Sequence, residues 1–290
     1  MITRTITLYI CLLMTCFMCG AKELTIIPQF AVGDTIRYRA TTSLVVYHEN
    51  DSLVSTTKML PTLIVDEKND KGFVITTINR LEDFSVECSD PEAGETLNSF
   101  DETDILNDFI AAIVLRIQLG ADYRPDTILN MEEVKKSVLN AYVKMLEREF
   151  GTEVDVNEAP VVIGAISNIC NQTHLIEQQF GNLPYFNFTG TPLKSGKIPA
   201  SMIITGDLLK MCNGLNELDM DITLLESDME SGTQADDGLY SIKISGKKDN
   251  IEIEGLLLYG AGIMNHGILN LRTGSGSERL LTTYVIDAIK

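Results

Sequence analysis

Three histidines, His48, His174 and His266, are the side chains best suited to acid–base or metal chemistry near neutral pH. They lie far apart in the sequence, and none stands in a zinc-protease pattern such as His-Glu-x-x-His, in which two imidazoles share one helix face. A fold could still bring two of them together. We interpret each as a turn, helix-surface or strand-end residue, so the sequence predicts no metal site here.

Motifs for nucleophilic and nucleotide chemistry are incomplete as well. The chain contains neither G-x-S-x-G nor G-x-x-x-x-G-K-[ST]. Gly260, Gly262 and Gly267 resemble a dinucleotide-binding loop, but the third glycine comes two residues late and strand-like sequence follows. A tight turn or β-bulge accounts for these glycines better. We therefore expect no catalytic residue, no bound cofactor and no metal.

The first 21 residues are arranged like a secretory signal peptide. Arg4 is followed by an uncharged, mostly apolar stretch that ends in small residues up to Ala21. The apolar stretch is too short to span a membrane comfortably, so we expect cleavage after Ala21 and no transmembrane segment in the mature chain. Export places the protein in the periplasm or outside the cell. A lipid anchor at Cys16 or Cys19 is the less favoured alternative, because the preceding residues match a bacterial lipobox poorly.

Cleavage would leave three of the six cysteines, Cys88, Cys170 and Cys212. An odd number in an exported protein leaves one thiol unpaired, or all three reduced. A disulfide between Cys170 and Cys212 is one pairing that the sequence allows, but spacing alone does not show that their Cα atoms approach closely enough. A fold with so few cysteines must be stabilised mainly by its hydrophobic core.

Acidic residues strongly outnumber basic ones, with 41 Asp and Glu against 23 Lys and Arg and a formal net charge of −18. Binding to nucleic acid relies on clustered Lys and Arg, so the sequence predicts no nucleic-acid partner. The same excess disfavours docking on an anionic lipid surface. Composition is otherwise that of a globular protein, and we predict one domain spanning residues 22–290.

Two strand-like blocks, residues 24–86 and 184–288, flank the middle of the chain. Both are rich in β-branched and aromatic residues, alternate apolar with polar positions and are divided by turn residues. Their connections are too short for parallel crossovers, so the pairing is predicted to be antiparallel. Pro61 interrupts one predicted strand and indicates an edge position or a bulge.

The middle block, residues 104–180, has helical spacing. Residues 104–119 are apolar nearly all round, which predicts a buried helix. A second helix is predicted from Asn130, with Glu133 completing a capping box, to Gly151. A third is predicted from about 157 to 170. The fold class is therefore α+β: a curved antiparallel β-sheet, or two facing sheets, built from both strand blocks and packed on three to four central helices.

Three short motifs carry a family resemblance. They are a strand opening, a turn before a second strand and a closing strand: Phe30-x-x-Gly33-Asp34-x-Ile36-x-Tyr38, Asp66-x-x-x-Asp70-x-Gly72-Phe73 and Thr282-Thr283-Tyr284-Val285-Ile286. In these and in its signal peptide the chain resembles exported Bacteroidetes proteins of unknown function. Such proteins are similar in outline to periplasmic lipoprotein carriers. The resemblance implies a curved antiparallel sheet that wraps around helices and leaves an apolar cavity.

We therefore predict an exported, non-enzymatic binding protein of the cell envelope. Its ligand would be apolar or amphipathic, such as a lipid, and would lie between sheet and helices. The predicted apolar lining comes from the first central helix: Ile105, Phe109, Ile113 and Ile117. Two alternatives remain: a structural or protein-interaction module in which these helices are only core, and a hydrolase whose carboxylates are dispersed along the chain.

Overall fold

The structure is a computed structural model that describes residues 24–49, 51–89, 102–151, 164, 166, 170–180, 188–190, 192–200, 217–226 and 240–289. The predicted signal peptide lies outside these ranges. So do most of the predicted helix at 157–170, the predicted strand residues 184–187 and 201–205, and Cys212.

Within the described ranges the chain forms fifteen strands and three helices. In chain order they are β1 (Leu24–Thr25), β2 (Thr35–His48), β3 (Asp51–Met59), β4 (Thr62–Asn69), β5 (Gly72–Ile78), β6 (Leu81–Cys88), α1 (Glu102–Ala112), β7 (Leu115–Leu119), β8 (Pro125–Ile128), α2 (Met131–Phe150), α3 (Gln172–Phe180), β9 (Pro192–Leu193), β10 (Gly196–Pro199), β11 (Asp219–Glu226), β12 (Tyr240–Lys248), β13 (Ile251–Gly260), β14 (Ile263–Ser275) and β15 (Glu278–Ile289).

A 13-stranded antiparallel sheet joins the two ends of the chain. Its strand order begins β10-β11-β12-β13-β14-β15-β2. At β2 the sheet divides into two branches. One half of β2 pairs with β3, which pairs with β6, and the other half is followed by β4, β5, β7 and β8. β1 and β9 form a separate pair. The central contact is β15 with β2, which are paired from Arg37 to His48. The predicted antiparallel sheet is confirmed, and the sheet is open.

β3 and β4 form two halves of one long strand beside β2. The register is the same in both halves, since His48 pairs with Asp51 and Arg37 pairs with Thr62. The interruption lies at Pro61, whose carbonyl still accepts the Tyr38 N–H at 2.8 Å. Pro61 therefore lies inside the sheet at a break in the strand, and not at an edge, because its missing N–H removes one ladder bond without ending the pairing.

One face of the sheet, which we call the core face, packs on the helices in a single buried cluster. The cluster includes Tyr38 of β2, Ile253 of β13 and Ile286 of β15, together with Val134 and Val138 of α2 and Leu175 of α3. Strand residues in the cluster alternate with exposed ones, since successive side chains point to opposite faces. Among the described residues no helix is both long and apolar enough to cross a membrane.

The helix predicted over 104–119 is wrong in its second half. α1 ends at Ala112, and the chain then forms β7, in which Ile117 pairs with Ile75 of β5. Leu115, Ile117 and Leu119 are completely buried and alternate with Arg116 and Gln118. This two-residue period is the strand signal in LRIQL. When residues 115–119 are considered together with the helical residues before them, the combined pattern resembles a helix that is apolar on all sides.

α2 begins and ends where predicted, but the predicted capping box is not formed. The Asn130 side chain makes no capping bond to its helix. Its Oδ1 accepts the Arg116 N–H at 2.8 Å and its Nδ2 donates to the Val114 carbonyl at 2.9 Å, so it fastens the helix start to β7 instead. At the other end Gly151 has a φ of 64°, the left-handed stop that the sequence indicated.

The balance of elements also differs from the α+β prediction. The described part of the chain is 61% strand and 18% helix, so it is predominantly antiparallel β, with fewer helical residues than the predicted α+β layers require. The middle block, predicted to be helical over 104–180, contains β7 and β8 between α1 and α2. Helices packed on one face of the sheet are retained, which confirms the prediction in part.

A buried hydroxyl on the core face gives a test of this packing. Thr282 is 1% exposed, its Oγ1 has no hydrogen-bond partner in the described part of the chain, and its cross-strand neighbours are Leu44 and Leu271. Thr282→Val keeps the shape and removes the desolvated hydroxyl, so the free energy of unfolding should rise by about 1 kcal/mol. Urea denaturation measures the change.

The next residue is the matched control. Thr283 lies on the opposite face, where its Oγ1 donates to Asn270 Oδ1 at 2.9 Å. Thr283→Val loses that bond and should leave stability unchanged or lower. A Thr282→Val protein less stable than the parent would show that Thr282 does not have this environment.

Candidate ligand-binding surface

The core face of the sheet extends past the buried cluster that packs on the helices. On the halves of β2, β3, β6 and β15 that lie away from α2, six large apolar side chains of this face are only partly buried, and none belongs to the core cluster of the described residues. We call these six the apolar patch: Leu44, Val46, Leu53, Phe84, Val86 and Leu280.

The strand register places the patch residues side by side. Leu280 pairs with Val46, Val46 with Leu53, and Leu53 with Cys88, which makes one row across β15, β2, β3 and β6. At a strand spacing of about 4.8 Å this row is about 14 Å wide. Leu44, Val86 and Phe84 extend the patch along the strands. The surface is thus continuous and of the size of a short acyl chain.

The opposite face of the same strands is mixed: Leu281, Val45 and Val54 form an apolar row there, and polar pairs lie further along the strands. Ser43 and Thr56 hydroxyls lie 3.2 Å apart, and Lys58 donates to Asp83 at 2.7 Å. The Lys58 ammonium lowers the pKa of Asp83, and the carboxylate in turn raises the pKa of Lys58. Arg39 binds both oxygens of Glu82 at 2.9 Å. Both faces of this half of the sheet are therefore partly exposed, and the core face differs in being continuous with the packed core.

The residues predicted to line a ligand site do not lie on one helix. Phe109 of α1 packs edge-to-face on Tyr142 of α2, with ring centroids 6.1 Å apart. Ile113 follows the end of α1, and Ile117 is buried in β7. The Ile105 side chain lies outside the described residues. Their role as ligand lining stays a prediction.

Sequence reasoning missed the patch itself, although part of its signal was present. Alternation in the segments around Leu44 and Phe84 predicted strands with one apolar face. It did not show whether other elements cover that face. Only the placement of the helices reveals that the core stops short of these residues.

Groups suited to catalysis are dispersed. His48 Nδ1 is 3.6 Å from Glu278 Oε1, His266 Nδ1 is 2.6 Å from Asp287 Oδ1, and His174 lies on α3. Among the described residues no three His, Cys, Asp or Glu side chains are grouped to hold a metal. The described polar residues that are buried are all uncharged: Thr77, Asn79, Gln118, Thr189 and Thr282.

The cysteines have different surroundings. Cys170 is 1% exposed and has a free thiol, and burial raises the pKa of that thiol. Cys212 lies outside the described residues, so the disulfide between the two stays a prediction. Cys88 is also free but only partly buried, at the β6 end of the row that crosses the apolar patch.

A second feature is a groove of about 630 Å³ at the tips of the hairpins, whose charged side chains lie on the face of the sheet opposite to the patch. We call it the tip groove. It is bounded by the end of β2, the β12–β13 turn and the β14–β15 hairpin, and its lining includes Leu280 of the patch. Three basic side chains line it: Lys247, Arg272 and Arg279. The Arg279 guanidinium lies over the Tyr47 ring, 5.1 Å from its centroid.

Comparisons with known proteins leave the family open. No family model matches the chain, and no curated protein matches it. Two solved structures align weakly. One, from work on lipid–protein interactions in lipovitellin, is 9% identical with a TM-score of 0.42, and the alignment covers 90% of this chain and 26% of that one. The other, an outer membrane channel from Pseudomonas putida F1, is 9% identical with a TM-score of 0.22, covering 90% and 97%. The chain spans about a quarter of the lipovitellin chain, and neither likeness is close enough to support an argument.

Thiol labelling tests the exposure of the patch. A maleimide should modify Cys88 on the order of tenfold faster than Cys170. Cys88 is accessible, whereas Cys170 is buried and stays protonated, and the protonated thiol reacts slowly. Peptide mapping by mass spectrometry gives a rate for each cysteine. In denaturant the two rates should become equal, and equal rates in the native protein would contradict an accessible patch.

Proposed function

We propose that the protein is an exported, non-enzymatic binding protein of the bacterial cell envelope, and that it holds an apolar or amphipathic ligand on the apolar patch. The observation that carries this proposal is the position of the patch: large aliphatic and aromatic side chains on the core face, partly exposed and outside the core. Contiguous exposed apolar surface commonly marks a binding site.

The energetic argument follows from area. Covering apolar surface yields about 2.5 kcal/mol for each 100 Å² removed from water. A ligand that lies along the row from Leu280 to Leu53 would bury its own hydrocarbon and that of three side chains. The gain must exceed the loss of ligand freedom on binding. A flexible chain therefore needs most of the patch, which is consistent with a site that crosses four strands.

The exported location is part of the proposal and rests on the sequence. Residues 1–21 have the charged start, apolar middle and small-residue exit of a signal peptide. Outside the cytoplasm, a protein that shields hydrocarbon from water has a clear use, because lipids must cross an aqueous space to move between membranes. The resemblance to exported Bacteroidetes proteins agrees with this location.

A second candidate is a protein-interaction module, and the position of β6 favours it. Among the described strands β6 pairs only with β3, and an added strand from a partner would pair with its other edge. The patch would then be covered by side chains of that partner. This candidate predicts capture of a protein from envelope extracts and no affinity for small apolar molecules.

Two adjacent valines on β2 give a matched test. Val46 lies in the patch and pairs with Leu53, whereas Val45 lies on the opposite face and pairs with Val54, with a similar degree of burial. The double variant Val46→Ser/Leu53→Ser should weaken binding of the uncharged probe N-phenyl-1-naphthylamine about tenfold. Val45→Ser/Val54→Ser should change it less than about twofold.

Fluorescence titration of both variants and of the parent gives the affinities, and circular dichroism shows that each is folded. Native mass spectrometry of the protein from its own host should reveal a co-purified lipid. A parent protein that binds no probe and carries no lipid, or two double variants that lose affinity equally, would refute the proposed site.

A further inference from the structure

We infer that the tip groove is a second binding site, which takes the phosphate group of a small soluble molecule between Arg272 and Arg279. The site is separate from the apolar patch, because the charged side chains of the groove lie on the opposite face of the sheet. The inference therefore goes beyond the proposed function and does not depend on it. It is carried by the positions of the two arginines and by the charges around them.

The strand register places the two arginines on one face of the sheet. Arg272 of β14 pairs with Leu281 of β15, and Arg279 lies two residues before Leu281, on the same side of β15. The two arginines are thus diagonal neighbours across one strand pair, a separation that long side chains can span. An anion in the groove can therefore contact both guanidinium groups.

Gly274 keeps the space beside Arg279 open. It is paired with Arg279 and has a φ of 94°, a backbone conformation that residues with a side chain rarely adopt. A Cβ at this position would also collide with the Glu278 carbonyl. The hairpin therefore excludes a side chain at the position of β14 that lies directly across from the arginine.

Arg279 has no carboxylate partner. Within the described part of the chain no carboxylate lies within ion-pair distance of its guanidinium, which lies over the Tyr47 ring, 5.1 Å from the centroid. A cation–π contact orients the planar group without satisfying its N–H donors. Those donors are therefore held in a fixed direction and can bind an anion that enters the groove.

The groove is a local exception to the acidic character of the chain. Three basic side chains line it: Lys247, Arg272 and Arg279. Only two carboxylates line it, Asp249 and Glu252, so the local charge is +1 in a chain whose net charge is −18. Glu252 lies 3.7 Å from both the Lys247 ammonium and the Arg272 guanidinium, too far for good hydrogen bonds. Exposed carboxylates farther away are screened beyond about 8 Å at physiological salt.

Two arginines favour a phosphate over a single carboxylate. A guanidinium group binds two oxygens of an oxyanion with parallel hydrogen bonds. A carboxylate has only two oxygens, whereas a phosphate ester has three strong acceptor oxygens. One phosphate can therefore accept from Arg272 and Arg279 at the same time. The groove volume of about 630 Å³ is that of a small-molecule site, which leaves room for an organic body beside the phosphate.

The net charge favours a phosphate in solution over a phosphate on a membrane surface. A chain of −18 is repelled by an anionic bilayer, and three cations at one end do not reverse that repulsion. A small soluble phosphate carries too little charge to be repelled in the same way, and it can enter a groove between two hairpins. The ligand class is therefore a soluble phosphorylated molecule.

Calorimetry on the full chain, with inorganic pyrophosphate as the probe, tests the site. Pyrophosphate should bind at least about tenfold more tightly than acetate at the same ionic strength. Its affinity should fall as sodium chloride is added, because the cations of the groove are exposed to solvent. Phosphatidylglycerol vesicles should not bind.

Charge variants should move the pyrophosphate affinity in opposite directions. Arg272→Gln and Arg279→Gln should each weaken binding about tenfold. Glu252→Gln removes the carboxylate shared by Lys247 and Arg272 and should tighten binding about threefold, a result that a disturbed fold would not give. Arg37→Gln is the matched control, because it removes an exposed arginine on the same face at the other end of β2 and should leave the affinity unchanged.

Arginine labelling locates the site in the unchanged protein. Phenylglyoxal modifies arginine side chains, and peptide mapping by mass spectrometry gives a rate for each one. Saturating pyrophosphate should slow the modification of Arg272 and Arg279 and leave the rate at Arg37 as it was. Equal protection of all three arginines, or no protection of Arg279, would contradict the site.

The outcomes separate this inference from the proposed function. Val46→Ser/Leu53→Ser should leave the pyrophosphate affinity unchanged, and saturating pyrophosphate should leave the affinity for N-phenyl-1-naphthylamine unchanged. The phosphate site is wrong if pyrophosphate does not bind, if acetate binds as tightly, if Arg279→Gln keeps the full affinity, or if vesicles bind in place of pyrophosphate. Each of these results leaves the apolar patch as a site. A protein that binds pyrophosphate but no apolar probe would support this inference while the proposed function fails.

Discussion

The register between β15 and β2 is the constraint on which the structure depends. It joins the last strand of the chain to the first long one and merges two blocks that are distant in sequence into one sheet. Because side chains alternate with a period of two, a slip of one residue would exchange the faces of every strand on one side. The observed register places Leu280, Val46 and Leu53 in one row on the core face and Leu281, Val45 and Val54 in a row on the opposite face.

The apolar patch follows from strands that are longer than the core. β2 has 14 residues and extends about 46 Å. Its core residues, Tyr38 and Ala40, lie near its beginning, whereas Leu44 and Val46 lie near its end. The helices pack on the first half, and the same apolar alternation continues onto the second. Exposed ion pairs on the opposite face contribute little to stability, so the core alone must hold the overhanging strands in place.

Local signals in the sequence were sufficient for much of the fold. Glycines located the tight turn at Gly262 and the end of α2 at Gly151. Local reasoning failed for 115–119, where five residues are too few to separate a strand period from a helical one. It also failed for Asn130, whose side chain was expected to cap α2 but forms hydrogen bonds with the backbone at Val114 and Arg116 instead.

The sequence by itself determined that the chain forms antiparallel strands with one apolar face, because alternation and turn residues act over a few positions. It also determined the strongly acidic character of the whole. Tertiary structure alone decided which strands are neighbours, how far the helices cover the core face, and which charges meet in the tip groove. Those outcomes depend on contacts such as Val46 with Leu280 and Arg279 with Tyr47, which join residues more than 200 positions apart and leave no trace in local spacing.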